Sequence, residues 1–283
     1  MNRILVSNFS NSCTQQPIVV VKECPFPNLE ALSLDLIPTI WPGKFPDFPP
    51  SFLTRMPNLL EFYVCGSGWE EIFPYELLDP EVQVMTVPRL RRLWLCSLTM
   101  LAHLWKEDTQ PCPLFYNLEI LEVLKCNKLR ILVPSTVSFR NLTDLSVSNC
   151  HGLINLVTSS TARTLLQLNK MTISKCKKIT KIVAMEDGEA NVAITFNKLT
   201  YLELDGLPNL TNFCSGAYSF GFPSLEKVIV RCCPEMKTFC QGILSTPKLK
   251  GVQATEDDDD SHWEHDLNTT TLRLWESNDD DTQ

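Results

Sequence analysis

Long apolar runs are missing from this 283-residue chain. No stretch reaches the ~18–20 apolar residues that a bilayer-spanning helix needs, so no membrane span is expected. The first residues, Met1 to Cys13, lack the apolar segment of a secretion signal. The expected compartment is intracellular, the cytoplasm. Histidine is scarce. The four present (His103, His151, His262 and His265) fall in no acid–base or nucleophile pairing. The run His262-Trp263-Glu264-His265 shares only its composition with a zinc-binding H-E-x-x-H, because its histidines are three apart with the acid between them. A phosphate-binding loop is also missing: Gly43-Lys44 has neither the upstream glycine nor the following hydroxyl residue. No C-x-x-C pair occurs, and the adjacent Cys232-Cys233 suits neither zinc spacing nor an easy bridge. No catalytic residue, cofactor or metal is therefore expected, and the chain does not read as an enzyme.

Excess positive charge is lacking too. The chain carries a net charge of −8, unevenly spread. Residues 256–283 hold eleven acids against Arg273 alone, which leaves the remainder at +2. A near-neutral body argues against nonspecific nucleic-acid binding. The basic knot Lys175, Lys177, Lys178 and Lys181 is a local exception, and it reads as a solvated turn.

What the chain has is a recurring phrase, L-x-x-L-x-L-x-x-C, often continued as x-x-L-x-x-L. Clear copies are Leu118, Leu121, Val123, Cys126, Leu129, Leu132 and Leu142, Leu145, Val147, Cys150, Leu153, Leu156. Alternating apolar residues in L-x-L mark a strand with one buried face. Its first leucine recurs at Leu29, Leu59, Leu90, Leu118, Leu142, Leu168, Leu199, Leu225 and Leu249, a mean spacing near 27.5 residues. A large apolar residue three positions earlier, often followed by proline, leads in: Phe26-Pro27, Met56-Pro57, Val87-Pro88, Phe115, Phe139, Phe196, Phe222-Pro223. Such short strands bury too little alone and must stack on their own copies. The predicted fold is a leucine-rich repeat solenoid of about nine repeats. It has a curved parallel β-sheet on its concave face, and irregular loops and short helices on its convex face.

Four cysteines, Cys126, Cys150, Cys176 and Cys233, each follow the first leucine of their phrase by eight residues. That places them at the turn leaving the strand. There a buried thiol acts as a small apolar filler and weak donor to a backbone carbonyl, rather than as a disulfide partner or metal ligand. A reducing compartment fits this reading. The N-x-S/T sequons at Asn8, Asn141, Asn209 and Asn268 are short enough to arise by chance.

Three segments are expected: a capping or truncated-repeat segment at 1–25, the repeats at 26–255, and an acidic tail with a short capping segment at 256–283. In the first, Ile18 to Val21 is a candidate edge strand. Five prolines bar a helix from 38–50, and Glu70 to Asp79 allows one turn of helix interrupted by Pro74. Ser159 to Leu168 is the best helix candidate, capped by Ser159 or Ser160, with Ala162, Leu165 and Leu166 facing inward. The run 257–260 should be solvated. A last element at Leu267 to Trp275, capped by Asn268 with Leu267 and Leu272 as its staple, would cover the open end with Trp263, Leu272 and Trp275.

With no catalytic pattern present, function is expected on the outward positions beside the L-x-L leucines. Aromatics and arginines anchor interfaces. Tyr63, Arg92 and Trp94 should be neighbours on adjacent strands, with Glu122, Asp144, Lys170, Tyr201, Glu203, Lys227 and Arg231 on the same concave face.

The pattern F-x-x-L-x-x-L-x-[LVI]-x-x-C-x-x-[LIM]-x-x-[LIF] resembles the C-terminal repeats of plant intracellular immune receptors of the coiled-coil, nucleotide-binding, leucine-rich repeat type. Thr158 to Ile182, Phe196 to Leu210 and Phe222 to Met236 carry the resemblance, as does the ending Leu244 to Leu249 followed by His262-Trp263-Glu264 and Asp266 to Thr270. The resemblance implies a scaffold that senses a pathogen effector or a guarded host protein and helps hold a nucleotide-binding domain closed. The chain shows neither the coiled coil nor the nucleotide-binding switch, so it is expected to be a repeat region alone, a fragment or a truncated product. The alternative is an F-box-type substrate receptor of a ubiquitin ligase. That class calls for an N-terminal F-box and an I-T-D-x-G-L continuation, where this chain has Asn127-Lys128-Leu129 or Lys177-Lys178-Ile179. An extracellular ectodomain would call for 24-residue spacing and Gly-x-Ile-Pro turns, neither of which is seen.

Overall fold

Each L-x-L core forms a strand of five residues or fewer. The computed structural model describes residues 3–7, 28–35, 56–70, 72, 89–104, 116–133, 135, 137–186, 193–214, 218–254 and 261–279. In chain order its strands are β1 (Arg3–Ser7), β2 (Ala31–Asp35), β3 (Glu61–Cys65), β4 (Arg92–Cys96), β5 (Ile120–Leu124), β6 (Asp144–Ser148), β7 (Asn155–Thr158), β8 (Lys170–Ser174) and β9 (Lys181–Ala184). They continue as β10 (Ile194–Thr195), β11 (Tyr201–Asp205), β12 (Asn212–Cys214), β13 (Phe220–Gly221), β14 (Lys227–Arg231), β15 (Leu244–Ser245), β16 (Val252–Gln253) and β17 (Ser261–His262). Two helices are described, α1 (Ser159–Ala162) and α2 (Leu267–Asp279).

The strands form three sheets. The main sheet has eleven strands in the order β1-β2-β3-β4-β5-β6-β8-β11-β14-β16-β17, and two smaller sheets are β7-β9-β12 and β10-β13-β15. Every pairing is parallel except β16 with β17. The chain therefore winds from the main sheet through the smaller ones and back, the path of a leucine-rich repeat solenoid. The described chain makes about six turns, fewer than the nine repeats read from the phrases. Nine phrases do give main-sheet strands, but the segments after β2, β3 and β4 lie largely outside the described residues.

The register follows the leucines. Leu32, Phe62, Leu93, Leu121, Leu145, Met171, Leu202, Val228 and Val252 stand side by side across the sheet, each at most 2% exposed. Burying each such side chain is worth roughly 1.5–3 kcal/mol, and each does so only because the coils on either side cover it.

Turns before and after each strand fix its direction. On the leading side, the Leu59, Leu142, Leu199, Leu225 and Leu249 amides donate to carbonyls three residues back, at Met56, Phe139, Phe196, Phe222 and Thr246. Pro57, Pro223 and Pro247 occupy the second position of these turns, where a fixed φ is favoured. The lead-in rings of Phe139, Phe196 and Phe222 are buried, and Phe196 stacks on Phe222 at 5.3 Å. Phe26, Val87 and Phe115 lie outside the described residues.

On the trailing side, seven successive phrases place the residue seven after their first leucine in the left-handed region: Gly66, Ser97, Lys125, Asn149, Lys175, Gly206 and Cys232. Only two are glycine. The turn aims the first six of these amides at the next strand, as with Lys125 N to Ser148 O (2.9 Å) and Lys175 N to Asp205 O (2.7 Å). The cysteine follows. Cys126, Cys150, Cys176 and Cys233 are fully buried and unbridged. Each thiol donates to the carbonyl two residues back, at 3.5, 3.4, 3.2 and 3.1 Å. Burial pushes the Cys233 thiol up to about 12. Hydrogen bonding to Cys150, together with burial, raises those of Cys126 and Cys176.

Two local expectations need correction. The predicted helix at 159–168 ends at Ala162, and Thr158, not Ser159 or Ser160, caps it. Leu165 must drop into the core for the next strand, so the chain leaves the helix. Leu166 is 44% exposed, not inward. The Glu186 carboxylate accepts from Ser159 Oγ, Ser160 N and Ser160 Oγ at the helix start. An edge strand is found at Arg3–Ser7, parallel to β2; the candidate Ile18 to Val21 falls outside the described residues, as do 38–50, most of Glu70 to Asp79, and 257–260.

Second, Asn268 lies inside α2 and does not cap it. Asp266 accepts the Thr269 amide at 2.8 Å as the cap. Asn268 instead clamps the helix to the last coil: its Oδ1 accepts the amides of Phe239 and Cys240, both at 2.9 Å, and its Nδ2 donates to Cys240 O at 2.9 Å. Leu267, Thr270, Thr271 and Leu274 are buried there, while Trp263 and Leu272 are 38% and 40% exposed. The side chain of Trp275 is outside the described part.

Leu145→Asp places a carboxylate in the ladder at a site 2% exposed and should cost several kcal/mol. Circular dichroism melting is expected to show a collapsed transition, and an unchanged melt would contradict the register. At the left-handed position, Lys125→Gly should match or exceed the parent stability, and Lys125→Val should lose about 1–2 kcal/mol; equal urea midpoints for the two would refute the strained turn. In native protein Cys150 should resist alkylation until denaturant is added, and mass spectrometry showing rapid labelling would exclude its burial.

Candidate recognition surface

Alternation along β2 to β14 sends every second residue away from the leucine ladder. Parallel in-register pairing then lines these residues up at the sheet spacing of about 4.8 Å. The floor has three rows. The middle one runs Ser33, Tyr63, Trp94, Glu122, Ser146, Thr172, Glu203, Ile229. Three outward positions are nevertheless buried: Ala31 (1%), Cys96 (8%) and Ile229 (7%). Short or apolar side chains at such positions disappear between longer neighbours in register, as Ala31 does beside Glu61.

Two clusters stand on this floor. The first is on β3, β4 and β5. Tyr63 and Trp94 are directly paired in register, with ring centroids 6.2 Å apart at 55°. The Tyr63 hydroxyl donates to Glu61 Oε2 at 2.9 Å and accepts from Arg92 Nη1 at 3.4 Å. That bond to Tyr63 raises the Arg92 pKa, and partial burial works against it. Glu122 stands beside Trp94. The result is a half-buried aromatic pair ringed by one cation and two carboxylates.

The second cluster is on β8, β11 and β14. Lys170 and Lys227 flank Tyr201 in register, with Lys170 Nζ 5.1 Å from the ring centre. The Tyr201 hydroxyl donates to Glu203 at 2.8 Å. Burial and that bond push its pKa up to about 12, so it stays a neutral donor. Arg231 bridges Glu203 at 3.1 Å and Asp205 at 3.8 Å. Between the clusters, Ser146, Ser148, Thr172 and Ser174 make a shallow hydroxyl floor, and Asp144 is its carboxylate. The ten outward residues expected from the sequence thus fall into these two groups, with Asp144 between them.

The leading lip of the sheet was not anticipated. Asn28, Asn58, Asn117 and Asn141, each one residue before a phrase leucine, line a groove of about 860 Å³ together with Arg91 and Glu119. The signal was present as the repeated asparagine of the lead-in. Asn141 Nδ2 donates to Tyr116 O and Asn209 Nδ2 to Lys177 O, and Asn268 is held by the last coil, so three of the four sequons have bonded side chains. Among the described residues, no three His, Cys, Asp or Glu side chains converge as metal ligands, and no helix is long and apolar enough to cross a membrane.

A family model described as plant disease resistance protein RPS2-like, leucine-rich repeats, matches residues 20–138 and 136–241. Similarity extends to "Probable disease resistance protein At5g47260" of Arabidopsis thaliana, 28% identical over 134 residues, which is 43% of this chain and 14% of that protein. The match thus spans only a small part of that relative's length, and nothing in it favours the ubiquitin-ligase alternative. With the solenoid register and the cysteine-bearing turns, these matches show that the chain belongs to the RPS2-like leucine-rich repeat family of plant disease resistance proteins.

Proposed function

We propose that this plant-defence repeat module recognises a protein, a pathogen effector or a guarded host protein, through its concave face, and that it contacts the nucleotide-binding domain of a full-length receptor. The observation that carries this reading is the Tyr63–Arg92–Trp94 cluster. It combines the residue types that dominate interface energetics on three adjacent outward positions, half-buried and held by hydrogen bonds. Rigid aromatics lose little entropy on binding. Eight main-sheet strands, β2 to β14, span about 34 Å at the usual spacing, room for a standard interface of roughly 800 Å² per partner. The Lys170, Tyr201, Lys227, Glu203 and Arg231 cluster supplies a second, more polar anchor across the hydroxyl floor.

An intracellular site of action fits the four turn thiols, which are buried, unbridged and shaped for the reduced state. Non-enzymatic recognition fits the family.

The double variant Arg92→Ala/Trp94→Ala should weaken partner binding by at least about 30-fold, roughly 2 kcal/mol. Both side chains lie outside the leucine ladder, so the melting profile should stay close to the parent's. Proximity labelling in infected leaf tissue, followed by binding measurements on the enriched protein, gives the readout. An identical set of labelled proteins and identical affinity for the double variant would exclude this cluster as the anchor.

A further inference from the structure

The trailing flank of the solenoid, just beyond the left-handed turns, has a charge pattern that the concave face does not share. In the coil that begins at β5 it carries Lys125, Lys128 and Arg130, all exposed. In the coil that begins at β8 it carries Lys175, Lys177, Lys178 and Lys181. No acidic residue occurs in the flank segments 125–133, 149–158, 175–184 and 206–214. None of these seven cations makes an ion pair among the described residues; the Lys128 ammonium meets only the Met100 sulfur, at 3.3 Å. Like charges this dense destabilise the fold by mutual repulsion and are relieved by an anionic partner.

The coil between the two basic blocks differs. It begins at β6 and offers Asn149, His151, Gly152 and Ile154. A Cβ on Gly152 would overlap the carbonyl oxygens of Asn127 and Leu129, so the backbone lies close against its neighbour and leaves a saddle. Ile154 in that saddle is 49% exposed, and Ile131 of the preceding coil 43%. Backbone bonds from Ile154 N to Arg130 O and from Thr180 N to Ile154 O hold the three coils in register. The flank thus reads basic, apolar, basic.

We infer that this flank docks an acidic amphipathic helix of a partner protein, with carboxylates seven residues apart astride an apolar side chain seated on Ile154 and Ile131. The two basic blocks lie two coils apart, about 9.6 Å at the usual strand spacing. Seven residues of helix rise about 10.5 Å, so one carboxylate can face each block. The apolar residues at the third and fourth places between them then face the saddle. A nucleic acid or an anionic membrane would satisfy the cations but gains nothing specific from an isolated apolar saddle between them. The site is separate from the concave clusters.

The test uses the 283-residue chain and a labelled helical peptide bearing glutamates seven residues apart with leucines between. A scrambled peptide of equal charge serves as control, and fluorescence anisotropy is the readout. The designed peptide should bind at least about tenfold tighter than the scramble. Lys128→Glu/Lys177→Glu/Lys178→Glu, all at exposed positions, should weaken it at least about tenfold, with a reduced salt dependence. Ile154→Ser should weaken it several-fold with the salt dependence kept. Lys227→Glu on the concave face should leave it unchanged, which separates this site from the concave reading. Equal binding of the scramble, indifference to the triple reversal, or tighter binding of polyuridylate or phosphatidylserine-rich vesicles than of the peptide would overturn the inference.

Discussion

Lateral burial of one coil by the next is the constraint on which this structure depends. A five-residue strand loses more chain entropy on ordering than it recovers alone, and its leucines are dry only because a neighbour lies on each side. Leu145, between Leu121 and Met171, shows the arrangement: the residues before and after it in sequence do not cover it, and the adjacent coils do. Such an assembly also needs its ends closed. Here β17 turns antiparallel along β16, and Asn268 of α2 satisfies backbone groups of Phe239 and Cys240.

The turns convert that constraint into direction. In seven coils a residue in the left-handed region makes the sharp bend on leaving the main sheet, and in six of them its amide bonds to the next strand. The thiol that follows is small enough to fit beneath the turn, and it donates to the strand's own carbonyl. Because the inner face is given over to leucine, phenylalanine and thiol, variation is confined to the outer faces. The protein therefore carries two chemically distinct surfaces. One is the concave sheet with its two aromatic and charged clusters, and the other is the trailing flank with its basic blocks and apolar saddle.

Much of this was legible in the sequence, for a physical reason. Period-two alternation is a local property, so the strand bounds and the outward residues could be placed from the leucines alone; Glu61, Arg92 and Ile120 each begin a strand two residues after the phrase leucine. Helical pattern is a weaker local signal. Ser159 to Leu168 has good helix spacing, yet the helix stops at Ala162 because Leu165 and Leu168 are needed by the core of the coil. Asn268 looks like a cap by type and position. Its carbonyl is taken by amides about thirty residues away, and Asp266 caps in its place. Burial of Ile229 and Cys96 on the outward side likewise depends on what stands beside them.

The sequence by itself determined the repeat, its register, the buried thiols' places and the set of side chains facing outward, since each follows from spacing within one coil. Tertiary structure alone decided which outward residues become neighbours, since that depends on pairing between coils 24–31 residues apart. It made Tyr63, Arg92 and Trp94 one cluster, bound Arg231 to Glu203, and set the two basic blocks astride Ile154. The physical reason is that interactions along a solenoid are nearest-neighbour in space but distant in sequence.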